Sequence, residues 1–254
     1  MKFNIKEFKK PKLNSPILVE GLPGIGNVGK IAVDFVIDSL NAEKILEITS
    51  PNFPHSVFVN EENLIDLPKI ELYYKKGKKN DLLFLSGDIQ PLDEESCYMF
   101  CETILDIFQK FKGKEIVALG GIGLPRVPEK PKVYCTANEK SIIKKYKTKG
   151  LNNQIFGVVG PIIGVSGLLV GLASNRKIPG IIILAQTFGH PTYIGVRGAK
   201  EILSVLNKNL DIHLDTKSLD KEIESLEKEM EISSKTLSKL TKVMSTQDKV
   251  SYIG

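Results

Sequence analysis

The sequence predicts a three-layer α/β/α domain built on a mostly parallel mixed sheet, followed by a C-terminal amphipathic helix and a tail. Three observations carry that expectation. Short, continuous apolar runs at residues 17–19, 82–85, 116–119 and 181–184 alternate with stretches of helical period. Runs without polar alternation suit strands covered on both faces, the situation of a parallel sheet between helix layers. Several of these runs end in glycine, and 254 residues at 42% apolar composition are enough to bury a full core.

The elements follow in order. Ile17, Leu18 and Val19 form the first strand, and residues 28–40 its helix, with Gly-Leu-Pro-Gly-Ile-Gly-Asn-Val-Gly-Lys at 21–30 between them. A second strand is expected at 45–48. Three short runs, 56–59, 64–67 and 70–74, are separated by polar residues or Pro68 and predict an antiparallel hairpin or meander. Residues 81–85 are a buried strand, and Asp93 is placed to cap a helix reaching about Phe111. Cys97, Phe100, Cys101, Ile104, Leu105 and Phe108 would lie on one face of that helix. A buried strand at 116–119 leads to Gly120, Gly121 and Gly123, then to a proline-rich loop and the short run Val133-Tyr134-Cys135. Asn138 is expected to start a helix to about Lys147, and residues 155–159 to form a strand. Residues 162–173 should be a buried helix, 181–184 the last strong strand, and 197–207 the last helix of the main body.

The glycine-rich turn fits two phosphate-binding patterns. Gly24, Gly26 and Gly29 make a G-x-G-x-x-G, and Glu47, near the end of the next strand, stands at about the distance of a ribose-binding carboxylate. The same glycines serve any strand that must reverse tightly into a helix. Gly24 to Lys30 also matches G-x-x-x-x-G-K, but Ile31 follows where a P-loop needs a magnesium-binding hydroxyl, and Pro23 removes an N–H donor. That second reading fails; the dinucleotide reading stays open.

Charge and composition narrow the partners. Net charge is +5 from 35 basic and 30 acidic side chains, only three of the basic ones are arginine, and tryptophan is absent. Lysines interspersed with acids do not make a nucleic-acid footprint, so no nucleic acid is expected. No run reaches the ~18 apolar residues of a membrane span, and the first residues hold no apolar signal core, so a cytoplasmic protein is expected. Cys97, Cys101 and Cys135 make neither a disulfide framework nor a zinc spacing. Cys97 and Cys101 at i, i+4 would ligate a metal only if two further ligands converged, and as buried thiols they suit a reducing cytosol. Ser166, His190 and Asp88 form a hydrolase triad on paper, although Gly164-Val165-Ser166-Gly167 is not a nucleophile elbow and equally suits a helix start. Glu20, Asp88 and Gln90 lie at carboxyl ends of strands, where α/β folds bind ligands. No catalytic residue, cofactor or metal site is assigned.

The C-terminal segment differs in kind. Leu219, Ile223, Leu226, Met230, Leu237 and Leu240 follow a 4-3 spacing with Ser233 in the seam, flanked by glutamate and lysine. That is a narrow stripe suited to contacts between copies of the chain, or to folding back on its own domain. The expected divisions are 1–212 for the α/β/α domain, 213–244 for the helix and 245–254 for a tail with an apolar tip.

Taken together, Val19 to Gly29, Gly120-Gly121-Ile122-Gly123, Gly164 to Leu169 and Ile178-Pro179-Gly180 resemble the proteasome-assembly-chaperone family, its archaeal members in particular. Thr187 and the helix carrying Ala199, Ile202 and Leu203 fit as well, so the resemblance spans about residues 14–207. It implies a phosphorylase/hydrolase-like α/β/α domain without established chemistry, acting as a homo-oligomeric chaperone or scaffold in 20S proteasome assembly or regulation. Partners implied are the chain itself and proteasome α-subunits or another assembly chaperone. Some relatives dock a C-terminal hydrophobic–Tyr–any-residue motif between α-subunits. Here Val250, Tyr252, Ile253 and Gly254 are the corresponding candidates, with Tyr252 third from the end, an offset of about 3.3 Å in an extended chain. The alternative is a nucleotide-dependent ligase or dehydrogenase using Gly24, Gly26, Gly29 and Glu47.

Overall fold

The computed structural model describes residues 3–217, 219–221 and 223, and the chain groups into two compact units, Met1–Leu214 and Asp215–Gly254. The first unit is a nine-stranded sheet between two helix layers. Its strands are β1 (Asn4–Glu7), β2 (Ile17–Glu20), β3 (Glu43–Thr49), β6 (Ile70–Lys75), β7 (Leu82–Gly87), β8 (Glu115–Leu124), β9 (Val133–Ala137), β10 (Leu151–Asn152) and β11 (Gly180–Phe188). A separate two-stranded hairpin pairs β4 (Phe58–Val59) with β5 (Ile65–Asp66). The helices are α1 (Val28–Leu40), α2 (Glu94–Lys110), α3 (Lys140–Lys145), α4 (Val165–Asn175) and α5 (Val196–Asn209).

The sheet order is β1-β3-β6-β7-β2-β8-β11-β9-β10. Strands β7, β2, β8 and β11 are mutually parallel, whereas β6, β3 and β1 on one flank and β9 on the other run antiparallel to their inner neighbours. Parallel pairing is thus concentrated at the centre. The burial of the strands follows suit: every residue of β2 and β7 is buried, while β6 buries only Ile70 and Leu72.

Helix α1 buries Val28, Gly29, Ala32, Val33, Val36 and Ile37, one helical face, and ends at Asn41 in the left-handed region (φ 48°). Helix α2 starts as its sequence predicts: the Asp93 carboxylate accepts from Ser96 N at 2.8 Å, and Glu94 and Glu95 occupy the first turn. It packs beside α4 over the same core, which holds Leu18, Leu83, Phe100, Ile104 and Leu169. Helices α1 and α5 pack together over the sheet.

Three local expectations are corrected. Asn138 does not start a helix; α3 begins at Lys140, with Glu139 as its cap position. The Asn138 amide is spent elsewhere, donating to Val170 O (3.2 Å) and Ile178 O (2.9 Å) and accepting from Gly180 N (2.8 Å). It thereby ties the middle of α4 to the start of β11. Residues 155–159 are a loop with one isolated bridge, Phe156 to Val159, because Gly157 sits at φ +78° and interrupts the run. Residues 162–164 precede α4 rather than opening it.

A buried polar cluster lies at the start of β8. Glu115 is 3% exposed, accepts from the Tyr146 hydroxyl at 2.7 Å and pairs with Lys145. Burial and the adjacent carboxylate push the Tyr146 hydroxyl well above its ordinary pKa. Replacing Tyr146 by Phe should lower unfolding stability by about 2 kcal/mol in urea titration, since the carboxylate loses a charge-assisted bond it cannot replace with water. No described helix is long and apolar enough to cross a membrane.

Candidate functional site

The glycine-rich turn joins β2 to α1 through a 3-10 turn at Ile25–Asn27. Its glycines bring backbones together. A Cβ on Gly21 would stand 2.2 Å from Gly29 O, one on Gly29 2.5 Å from Leu119 O, and one on Gly121 2.3 Å from Ile25 O. The end of β2, the start of α1 and the end of β8 therefore touch main chain to main chain. Gly26 has a second reason, φ +63°, and a Cβ there would meet Thr187 Oγ1 at 2.7 Å. Gly24 is different: its backbone is extended and the nearest described atom to an added Cβ is Leu22 O at 4.0 Å. Within the turn, Asn27 N donates to Gly24 O (2.9 Å), and Gly26 O accepts from Gly195 N (2.8 Å). Asn27 N is thus spent on the turn itself rather than offered to a phosphate.

Beside this turn lies a cavity of about 440 Å³, at the carboxyl ends of β2 and β8. Leu22, Ile25, Leu119, Ile122, Val159 and Ile162 are among its apolar walls, and Gly24, Gly29, Gly120, Gly121 and Gly160 line it as well. Two polar side chains face it. Gln90 bridges the two loops that frame it, donating to Pro23 O (2.7 Å) and accepting from Val165 N (3.1 Å). Ser166, in the first turn of α4, donates to Leu119 O (3.2 Å).

Glu20, the last residue of β2, has no solvent exposure and bonds the cavity-wall residue Leu22 without lining the cavity itself. Its Oε1 accepts from Leu22 N at 3.1 Å, while no described residue bonds its Oε2. Burial pushes its pKa up to about 7, tempered by the Leu22 N–H. An apolar run ending in a charged residue before glycine was the sequence signal for this group. Gln90's bridging role and the loop wall at 158–163 had no such signal, since both depend on segments that meet only in the fold.

The structure separates the other candidates. Glu47 lies on β3, which is three strands from β2 in the order β3-β6-β7-β2, or about 14 Å at the usual strand spacing. There it stands 3.7 Å from Lys44 and opposite Glu71 and Lys6 in register, whereas the dinucleotide reading needed it beside the glycine turn. The triad does not assemble either. His190 Nδ1 pairs with Thr192 Oγ1 at 2.9 Å and its ring stacks on Phe188, Ser166 is bonded to Leu119, and Asp88 accepts from Lys69 N. All three cysteines are buried; sharing a hydrogen bond with Cys97, together with burial, pushes the Cys101 thiol up, and burial raises Cys135 to about 11. Among the described residues, no group of three or more His, Cys, Asp or Glu is placed to hold a metal. Leu219 and Ile223 fall in described helical positions. Leu226, Met230, Leu237, Leu240, Val250, Tyr252, Ile253 and Gly254 lie outside the described residues.

An α/β/α domain whose parallel centre is flanked by antiparallel strands, with its glycine turn given over to backbone packing, defines a class of fold rather than of reaction. The chain belongs to the PAC2 family, whose model matches residues 18–232. It is 31% identical over 209 residues to the Methanocaldococcus jannaschii protein MJ1210, covering 82% of this chain and 79% of that one. It is similar to Pyrococcus furiosus PbaB, described as an archaeal proteasome activator, at 30% identity and a TM-score of 0.85, over 91% of this chain and 98% of that one. Pyrococcus furiosus PbaA, at 24% identity and a TM-score of 0.76 over 99% of both chains, shares the fold.

Proposed function

We propose that the chain is a non-enzymatic, homo-oligomeric chaperone or scaffold associated with 20S proteasome assembly or regulation. It would act through protein contacts that include the C-terminal helix and tail. The observation that carries this reading is the near-full-length likeness to PbaB, a proteasome activator. The surface supports it: Val59, Leu64, Ile65 and Leu67 of the β4–β5 hairpin, with Leu92, Phe156 and Ile163, are large apolar side chains left in solvent. Such an apolar surface suits contacts with other proteins. The separate partners of Ser166, His190 and Asp88 give no support to hydrolase chemistry.

The test is capture of recombinant 20S α-subunits from the same source by the full chain and by a chain lacking residues 245–254. Retention by the full chain and its loss on truncation is the expected result. No retention by the intact protein would sink the proteasome reading. Light scattering on the full chain, against one ending at Leu214, checks the oligomer; a monomeric full chain would refute that part.

A further inference from the structure

We propose that the amino ends of the central strands carry a docking face for an acidic protein surface. The proposal goes beyond the proteasome reading and stands without it.

Register sets the geometry. Ile17 of β2 lies opposite Leu82 of β7 and Glu115 of β8, and Ile116 pairs with Gly180 of β11. Four strands thus begin side by side, across about 14 Å at the usual strand spacing. Each is preceded by a segment with exposed lysine: Lys12 before β2, Lys78 and Lys79 before β7, Lys112 and Lys114 before β8, and Lys177 before β11. Lysines far apart in the chain are gathered onto one rim.

The loops of this rim brace one another. Asp81 N donates to Asn14 O (3.1 Å), Asn80 Nδ2 to Ser15 O (2.9 Å), Lys114 N to Pro16 O (2.8 Å) and Ile116 N to Pro179 O (2.9 Å). Lys114 Nζ donates to Asn80 Oδ1 at 2.9 Å. The lysines therefore project from a single hydrogen-bonded surface.

Charge is sorted across that surface. Residues 12–17, 76–82, 111–116 and 177–180 include two carboxylates, Asp81 and Glu115, and both are buried. Asp81 accepts from Gly77 N (3.1 Å) and Asn14 N (2.8 Å), while Glu115 is spent on Tyr146 and Lys145. None of the rim lysines forms an ion pair with a described residue; the paired lysines are Lys9, Lys30, Lys44 and Lys145. Lys112 and Lys177 follow the ends of α2 and α4, where a cation complements the helix dipole. Lys12, Lys78 and Lys79 lie in strand-to-strand loops, which that reason does not reach. A cationic face whose own acids are turned inward attracts a surface of opposite charge.

The chemistry of the rim selects the partner. Those segments carry no arginine for bidentate phosphate contacts, and their one aromatic, Phe111, packs against the core. Nucleic-acid bases would find nothing to stack on, whereas protein carboxylates need only the ammonium charges.

A labelled decaglutamate peptide is the probe, titrated with the full chain and followed by fluorescence anisotropy. It should bind at about 50 mM salt and severalfold more weakly at about 300 mM. Lys12→Glu, Lys78→Glu and Lys79→Glu combined should weaken binding at least about tenfold. Arg126→Glu, Lys130→Glu and Lys132→Glu combined change the net charge equally but lie beyond the carboxyl end of β8. They should weaken binding less than about twofold, since screening confines the attraction to nearby charges. All six side chains are exposed, and melting curves will verify that both variants fold. Equal weakening by the two variants would overturn the proposal, because net charge alone would then suffice. So would the absence of peptide binding at the lower salt, or tighter binding of a ten-nucleotide oligothymidylate than of the peptide, which would make nucleic acid the occupant.

Discussion

Gly29→Ala should destabilise the domain by roughly 3 kcal/mol or more, while Gly24→Ala, five residues earlier in the same motif, should change stability by less than about 1 kcal/mol. The contrast follows from what each Cβ would meet. At Gly29 it would be 2.5 Å from Leu119 O and 2.9 Å from Leu119 C, main-chain atoms of a central strand that cannot rotate away. At Gly24 the backbone is extended and the space open, so alanine costs nothing native and restricts the unfolded chain. Gly21→Ala should join Gly29→Ala, its Cβ falling 2.2 Å from Gly29 O. Urea unfolding followed by far-ultraviolet circular dichroism measures all three. A turn built to cradle phosphate would show the opposite pattern in a binding assay, with Gly24 sensitive. Wild-type stability in Gly29→Ala would contradict the packing role.

The second large effect is a pH dependence from Glu20. Its pKa rises from 4.5 to about 7 on folding, chiefly through burial. The folded state therefore holds a proton that the unfolded chain releases between these values, and stability falls as pH rises through that window. The favourable state is complete below about pH 4.5, and the loss is complete above about pH 8. That rise corresponds to about 3 kcal/mol, most of it traversed between pH 5 and pH 8. Glu20→Gln keeps the acceptor for Leu22 N and removes the titration. The stability difference between the two proteins should therefore change by about 2–3 kcal/mol over that interval, in favour of Gln at the higher pH. Parallel pH profiles for the two proteins would show that Glu20 does not carry it.

The sequence made the local features legible. Helix α2 begins one residue after Asp93 and buries the Cys97, Phe100, Cys101, Ile104, Leu105 and Phe108 face that its period marks. The uninterrupted runs of β2, β7, β8 and β11 became the parallel centre. What was not legible is strand order. The spacing from Gly24 to Glu47 suits adjacent strands, yet β7 and β6 come between β2 and β3. Strand β1, fully exposed and lacking an apolar run, exists because β3 offers it an edge. The apolar residues of 155–159 suggested a strand, but Gly157 turns the chain and Val159 lines the cavity instead. Asn138 shows the same principle at one residue: a good helix-starting side chain was claimed by three backbone groups from elsewhere in the fold.

The sheet's central order also constrains when the protein can fold during its synthesis. Strand β2, complete by residue 20, must wait for β7 and β8 on either side, and β8 for β11, which ends at Phe188. A nascent chain short of that point carries apolar strands with open edges. Such long-range pairing slows folding and leaves intermediates prone to aggregate. About three-quarters of this polypeptide must therefore emerge before the parallel centre of its sheet is complete.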